Sequence, residues 1–187
     1  MTGIVLIGGK SSRMGQDKAM MVYKERPLYK IAAENIAPYS DNIYLSANKQ
    51  QISEVTFEYP TIQDQFDGEG PLGGIISCHR YIREQLLIIS CDLPLISQIE
   101  IEALINLHNQ NNGCTMFYND STGHYETMLS IWEKEMLDLL EEYFISGGRS
   151  IQQFLKQQKI VKNIPFSLQN FKNINKVDDW LKLDFTH

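Results

Sequence analysis

The stretch Val5–Met21 reads VLIGGKSSRMGQDKAMM and joins a short apolar run to a loop rich in glycine and cationic residues. The apolar run Gly3–Ile7 predicts a strand that is buried on both faces. The pair Gly8-Gly9 lets the backbone turn sharply, and successive N–H groups in such a turn form a concavity that binds anions. Because Arg13 and Lys18 add positive charge, the stretch predicts a triphosphate-binding loop. A glycine turn with solvated charges is the alternative.

The composition excludes several classes of protein. The 187 residues are 43% hydrophobic and carry a net charge of -6, which argues against a disordered chain and against a general binder of nucleic acid or anionic membranes. No apolar run approaches the roughly 20 residues of a membrane span. The N-terminus lacks the basic segment of a signal peptide, so we expect a cytoplasmic protein. The three cysteines form no CxxC pair, which favours reduced thiols over a zinc site or disulfides.

Strand patterns alternate with helix patterns along the whole chain, and this alternation is typical of parallel βαβ units. It predicts an α/β fold, a three-layer α/β/α sandwich around a Rossmann-like, mostly parallel sheet. Ligands of such sheets bind outside the carboxyl ends of the strands, near a switch in strand order. Besides Gly3–Ile7, we predict strands at Asn42–Ala47, Val55–Tyr59, Leu86–Ser90, Cys114–Asn119, Thr127–Trp132 and Ile160–Ile164, and helices that include one starting near Pro27 and a last one at Val177–Leu183.

The apolar run Leu86–Ser90 predicts a central strand that delivers Asp92 to its carboxyl end. Pro94 cannot continue a strand ladder, so the chain must turn there. A carboxylate at such a position can hold Mg²⁺ together with phosphate oxygens and water. A turn or helix-capping role is the alternative for Asp92. Ser97 and Glu100 form the pattern of a capping box at the start of the next helix.

The full motif L-x-G-G-x-x-x-R-M-G-x-D-K, from Leu6 to Lys18, resembles the molybdenum cofactor guanylyltransferase family of the nucleotidyltransferase superfamily. Further stretches are similar to that family: Asp64 before Gly70–Gly74 (GPLGG), C-D-x-P around Asp92, Gly147–Leu155 (GGRSIQQFL), and F-K-N-I-N near the C-terminus. The resemblance implies a nucleotide-diphospho-sugar transferase-like fold in one nucleotidyltransferase domain over residues 1–187.

The resemblance also implies a reaction, in which Mg²⁺ is the cofactor and GMP passes from GTP to the terminal phosphate of molybdenum-loaded molybdopterin, releasing pyrophosphate. Other cofactor-biosynthesis proteins and the molybdoenzymes that accept the product are the implied partners. Arg13, Lys18 and Asp92 would be catalytic, with Asp92 on the metal. The nucleotide would meet Leu6, Ile7, Gly8, Gly9, Lys18, Asp64, Gly70, Gly73 and Asp92, and the acceptor would meet Asn173 and Asn175.

The roles of four residues stay open. The family often has asparagine where Ser46 stands, so either Ser46 or Asn48 could contact the nucleoside. Asp64 could instead form a turn. Arg149 could meet a phosphorylated acceptor or could be a solvated arginine at a helix start.

Two alternative functions also stay open. The same scaffold could use CTP, or could activate a sugar phosphate or polyol phosphate. A catalytically silent nucleotide-binding or cofactor-handover protein is the third possibility, which the retention of Arg13, Lys18 and Asp92 disfavours.

Overall fold

The strand β1 (Thr2–Leu6) lies inside a seven-stranded sheet of order β5-β4-β1-β6-β8-β7-β9 in the computed structural model. The structure describes residues 1–8, 17–66, 68–108, 113–158, 161–165 and 171. All five residues of β1 are buried, as the apolar run predicts. The other strands of this sheet are β4 (Asn42–Ala47), β5 (Thr61–Gln63), β6 (Leu86–Ser90), β7 (Cys114–Asn119), β8 (His124–Trp132) and β9 (Val161–Pro165).

Helices cover both faces of the sheet and complete the three layers that the alternation predicts. Residues of α1 and α4 pack with β1 and β6 on one face, whereas α3, α5 and α6 contribute to a second core on the other face. The six α-helices within the described residues are α1 (Leu28–Ile36), α2 (Lys49–Glu54), α3 (Gly70–Ile82), α4 (Gln98–Leu107), α5 (Lys134–Ile145) and α6 (Ile151–Gln157). No helix in these residues has the length and apolar character that crossing a membrane requires.

The sheet is parallel except at one strand. β1 pairs in parallel with β4 and with β6, and β4 pairs in parallel with β5. β8 is antiparallel to both of its neighbours, β6 and β7. The carboxyl ends of β5, β4, β1 and β6 therefore lie along one edge of the sheet, which is the edge where ligands of such folds bind.

Two local features of the structure differ from the sequence-based predictions. Val55–Tyr59 is not a strand, and the edge strand is Thr61–Gln63. Pro60 lies between the two segments; its carbonyl accepts from Leu45 N of β4 at 2.9 Å, and the strand pairing with β4 begins at Thr61. A hairpin of β2 (Val22–Tyr23) and β3 (Arg26–Pro27) was not predicted. Its turn needs positive φ, which Lys24 and Glu25 adopt at 47° and 64°.

The helix α3 is fixed to α5 by a partly buried ionic network. His79 of α3 is fully buried, and its Nε2 lies 2.8 Å from Asp138 Oδ1. Arg80 Nε donates to Glu141 Oε1 at 2.6 Å, and Lys134 donates to Asp138 Oδ2 at 2.6 Å. Burial lowers the pKa of His79, and the neighbouring Asp138 opposes that shift in part. His79 therefore resists protonation in the folded protein.

Replacing His79 with glutamine should weaken the pH dependence of stability. A histidine whose pKa is lowered on folding does not change the free energy of unfolding at pH values above its unfolded pKa of about 6.5. As the pH decreases below that value, it lowers the free energy of unfolding. One such group changes the free energy of unfolding by at most about 1.4 kcal/mol per pH unit. Urea unfolding at pH 7.5 and pH 5.5 should show a smaller loss for His79→Gln than for the wild type. Equal losses would contradict the assignment.

Candidate active site

The loops after β1, β4, β5 and β6 meet at one edge of the sheet through backbone hydrogen bonds. Gly8 N donates to Ser46 O at 3.1 Å, so the turn after β1 rests on β4. Cys91 N donates to Leu6 O at 3.1 Å and joins the end of β6 to the same strand. Asp64 N donates to Ala47 O at 2.8 Å. The residues that the sequence singles out after each strand are therefore neighbours along this edge.

Lys18 and Asp92 form an ion pair across this edge. Lys18 Nζ lies 3.0 Å from Asp92 Oδ2, and the two side chains are 21% and 18% exposed. Asp92 follows β6, whereas Lys18 begins a short 3₁₀ helix, Lys18–Met20, in the connection after β1. The other oxygen, Asp92 Oδ1, is buried and has no hydrogen-bond partner among the described residues. A buried anionic oxygen in this state is poised to accept a cation or a donor.

Asp64 is held against the turn after β1 by a buried serine. Ser46 Oγ donates to Asp64 Oδ1 at 2.6 Å, and Ser46 is 1% exposed. A Cβ on Gly8 would lie 2.6 Å from Asp64 Oδ2, and a Cβ on Gly74 would lie 2.8 Å from Ser46 Oγ. Both glycines are therefore required by the close approach of their neighbours. Ser46 orients Asp64 from within the core.

Asn48 has a structural task at the start of α2. Its side chain accepts a hydrogen bond from Gln51 N at 2.9 Å, and Gln51 Oε1 accepts from Asn48 N at 3.0 Å. The two residues form a capping box. Asn48 is half-buried and Ser46 is fully buried, so Asn48 is the more accessible of the two candidates for contact with a nucleoside.

Gln51 also connects the two described ends of the connection after β1. Its Nε2 donates to Ile7 O at 2.9 Å and to the two carboxylate oxygens of Asp17 at 3.1 and 2.9 Å. Asp17 Oδ1 in turn accepts from Ala19 N at 3.0 Å and caps the 3₁₀ helix that carries Lys18. The sequence reasoning missed Gln51, although the pattern Asn48-x-x-Gln51 is a recognisable capping box.

The glycine-rich stretch after Asp64 forms the first turn of α3, which begins at Gly70. Gly70 is exposed and has a φ of 58°. Gly73 is buried, and a Cβ there would lie 3.0 Å from Phe66 O, so this glycine lets α3 pack on its own leading segment. Arg149 Nε lies 3.1 Å from Glu69 Oε2 and its guanidinium stacks on Phe144. Arg149 therefore braces this turn.

The side chains of Leu6 and Ile7 are buried on opposite faces of the sheet. Only their backbone groups could meet a ligand, and Ile7 N already donates to Ser46 O at 3.0 Å. Contact of Leu6, Ile7, Gly8, Asp64, Gly70 and Gly73 with a nucleotide stays a prediction. Four other predicted site residues, Gly9, Arg13, Asn173 and Asn175, lie outside the described residues, as does the predicted helix Val177–Leu183.

All three cysteines are buried thiols. Burial raises the pKa of Cys78 and of Cys114 to about 12, and burial also raises the pKa of Cys91. Thiolates are the nucleophilic form of cysteine. These side chains are therefore unsuited to nucleophilic chemistry at neutral pH.

Comparison with known proteins places the chain among nucleotidyltransferases. The family model of the MobA-like NTP transferase domain matches residues 3–161. A molybdenum cofactor guanylyltransferase from Pseudomonas entomophila is 30% identical over 81% of this chain and 80% of its own length. A protein of the same name from Pseudomonas putida strain GB-1 is 29% identical over 84% of this chain and 83% of its own.

A solved structure shares the fold. Molybdopterin-guanine dinucleotide biosynthesis protein A from Archaeoglobus fulgidus superposes with a TM-score of 0.75 and covers 97% of this chain and 96% of its own. The two sequences are 22% identical, so this likeness concerns the fold alone. It confirms the predicted α/β architecture with a mostly parallel sheet.

Gly8→Ala should move Asp64 from its place. The added methyl group would meet Asp64 Oδ2, whose carboxylate is already held by Ser46. Loss of a hydrogen bond to a charged group costs about 1.5–3 kcal/mol, so the free energy of unfolding should decrease by a similar amount. Chemical denaturation measures this change. In an Asp64→Ala background the same substitution should cost much less, and an equal cost in both backgrounds would show that the methyl group disturbs something else.

Proposed function

Because the chain belongs to the MobA-like NTP transferase family, we propose that it transfers GMP from GTP to the terminal phosphate of molybdenum-loaded molybdopterin. The products are molybdopterin guanine dinucleotide and pyrophosphate. The names of the Pseudomonas relatives support the guanylyl reaction, and the chain covers at least 80% of each of them. Molybdenum is part of the substrate in this scheme.

One observation carries the proposal: the ion pair of Lys18 with Asp92 at the carboxyl end of β6, next to β1. An ammonium group at this place can hold a phosphate, and the partner carboxylate can hold a cation that a triphosphate brings. A silent nucleotide-binding protein has no need of the carboxylate. The pairing therefore favours a protein that carries out phosphoryl chemistry.

The residues present fit a magnesium ion. Asp92 supplies a hard oxygen ligand, and its Oδ1 is buried without a partner among the described residues. Mg²⁺ in proteins is commonly bound by one or two carboxylates, with substrate phosphates and water filling its other positions. Asp92 would hold the ion, and the bound ion would neutralise charge on the phosphates.

The chain's own residues have to align the two substrates and balance their charge. The acceptor phosphate is already anionic, so no general base is required. One of its oxygens forms a bond to the α-phosphorus of GTP, and the bond from that phosphorus to the bridging oxygen breaks as pyrophosphate leaves with the electron pair. Lys18 supplies positive charge where negative charge grows on the leaving group. No covalent intermediate on the protein is involved.

Backbone groups at this edge, together with the accessible Asn48, would pair with a base. Gly8 is exposed and has no side chain to obstruct approach. Guanine presents two donor groups and the O6 acceptor, and a site that pairs them all rejects a base that leaves its polar groups unpaired. Selection of GTP would follow from such pairing.

Lys18→Ala should decrease turnover by about 100-fold or more, which is the usual effect of removing one preorganised charge contact. Release of pyrophosphate in the presence of GTP, Mg²⁺ and molybdopterin measures it. The matched control is Lys30→Ala, because Lys30 also pairs with a carboxylate, that of Glu58 at 2.8 Å, but on the exposed side of α1. Asp92→Asn should behave like Lys18→Ala. Normal turnover per folded molecule in either site variant would remove that residue from the reaction.

The ratio of kcat/KM for GTP to kcat/KM for CTP should exceed one in the wild-type protein. The same pyrophosphate assay gives both values with molybdopterin as acceptor. A ratio below one would overturn the guanylyl assignment in favour of cytidylyl transfer. Turnover with a sugar phosphate or polyol phosphate, and none with molybdopterin, would show that the acceptor substrate is one of those phosphates and not molybdopterin.

A further inference from the structure

We propose that Gln51 is a positioning residue that sets the place of Lys18 relative to Asp92, an inference that rests on the proposed nucleotidyl transfer. Gln51 lies on α2, after β4, and its hydrogen bonds among the described residues go to Ile7, Asp17 and Asn48. It acts through Asp17, the residue before Lys18. No family motif quoted above includes Gln51.

The hydrogen bonds of Gln51 form a continuous path to the turn that carries Lys18. Its amide nitrogen donates to Ile7 O at 2.9 Å, which fixes the end of β1. The same nitrogen donates to Asp17, at 2.9 Å to the nearer oxygen. Asp17 Oδ1 then accepts from Ala19 N at 3.0 Å and holds the first turn after it. Lys18 is therefore fixed on one side by this path and on the other by Asp92.

The amide group is fully used in this arrangement. A glutamine amide has two N–H hydrogens, and one serves Ile7 while the other serves the Asp17 carboxylate. Its oxygen accepts from Asn48 N at 3.0 Å. Gln51 is only 6% exposed, so its amide is held within the protein by these partners. The side chain has a single orientation that satisfies all of its partners.

A packing role alone does not explain this choice of residue. An apolar side chain would fill the same space, but it would leave the Ile7 carbonyl and the Asp17 carboxylate without this donor. A lysine would place a second cation against the Asp17 carboxylate, one residue from Lys18. The neutral amide of Gln51 holds Asp17 in place and adds no charge beside the ion pair of Lys18 with Asp92.

The test is a double-variant cycle between Gln51 and Lys18. Gln51→Glu keeps an oxygen for Asn48 N and so keeps the cap of α2, but it loses both donors. Gln51→Met is a second variant that places no new carboxylate beside Asp17. Each should decrease kcat/KM for GTP by about 10- to 100-fold, with most of the loss in kcat, because a displaced Lys18 stabilises the leaving pyrophosphate less well.

The decisive measurement is the same substitution in a Lys18→Ala background. If Gln51 acts through Lys18, the second substitution should decrease kcat/KM by less than about twofold further, because coupled residues are not additive. An equal loss in both backgrounds would overturn the proposal. Unchanged kcat per folded molecule in both Gln51 variants would also overturn it, and would leave a purely structural role.

The matched control is Gln50→Ala. Gln50 is the preceding glutamine on the same helix, is exposed, and bonds only with Glu54 at 2.9 Å among the contacts described for its side chain. This variant should keep kcat and KM within about twofold of the wild type. A loss as large as that of Gln51→Glu would show that any change in α2 disturbs the site, which would contradict a specific role for Gln51.

Binding of inorganic pyrophosphate separates this inference from the proposed function. The probe needs Lys18 but no base and no acceptor, and calorimetry with Mg²⁺ present measures its Kd. Wild-type protein that gives no turnover with GTP and molybdopterin would refute the proposed function. The Gln51 inference would still stand if each Gln51 variant weakens pyrophosphate binding by about 10-fold when Lys18 is present. In the Lys18→Ala background the same substitution should weaken binding by less than twofold. It fails if the two backgrounds respond equally.

Discussion

The buried central strand β1 is the constraint on which the rest of the site depends. It pairs in parallel on both sides, with Leu6 opposite Ser46 of β4 and opposite Ser90 of β6. Parallel strands end at the same edge, so this register decides which residues can meet beyond Leu6. Ser46 donates a hydrogen bond to Asp64, and Asp92 lies two residues after Ser90. A slip of one residue in either pairing would turn the polar groups away from each other and into the core.

Much of this arrangement can be predicted from the sequence because it follows from local patterns. The apolar runs at Asn42–Ala47 and Leu86–Ser90 have the predicted bounds in the structure. The capping box of Ser97 and Glu100 is present at the start of α4. Asp92 lies at the carboxyl end of β6 because a buried strand must end where proline and a carboxylate follow.

Other features could not be predicted because they depend on contacts between distant residues. The choice of Thr61–Gln63 over Val55–Tyr59 as the edge strand is made by pairing with β4, and both segments contain β-forming residues. The hairpin at Val22–Pro27 requires positive φ at two residues that rarely adopt it. The path from Gln51 to Asp17 spans 34 residues of sequence, and no local pattern encodes it.

Three carboxylates follow strands or loops at this edge, and the protein satisfies each in a different way. The Asp17 carboxylate accepts hydrogen bonds from the buried amide of Gln51 and from the backbone N–H of Ala19, and both of these donors are neutral. Asp64 accepts from the buried hydroxyl of Ser46. Asp92 is paired with Lys18, and of the three it is the one with a buried oxygen that lacks a partner among the described residues. An anionic edge would repel a triphosphate unless cations offset it, and the net charge of -6 supplies no general attraction. Charge therefore has to be balanced locally, and within the described residues the pair of Asp92 and Lys18 brings a carboxylate oxygen and an ammonium group together to do so.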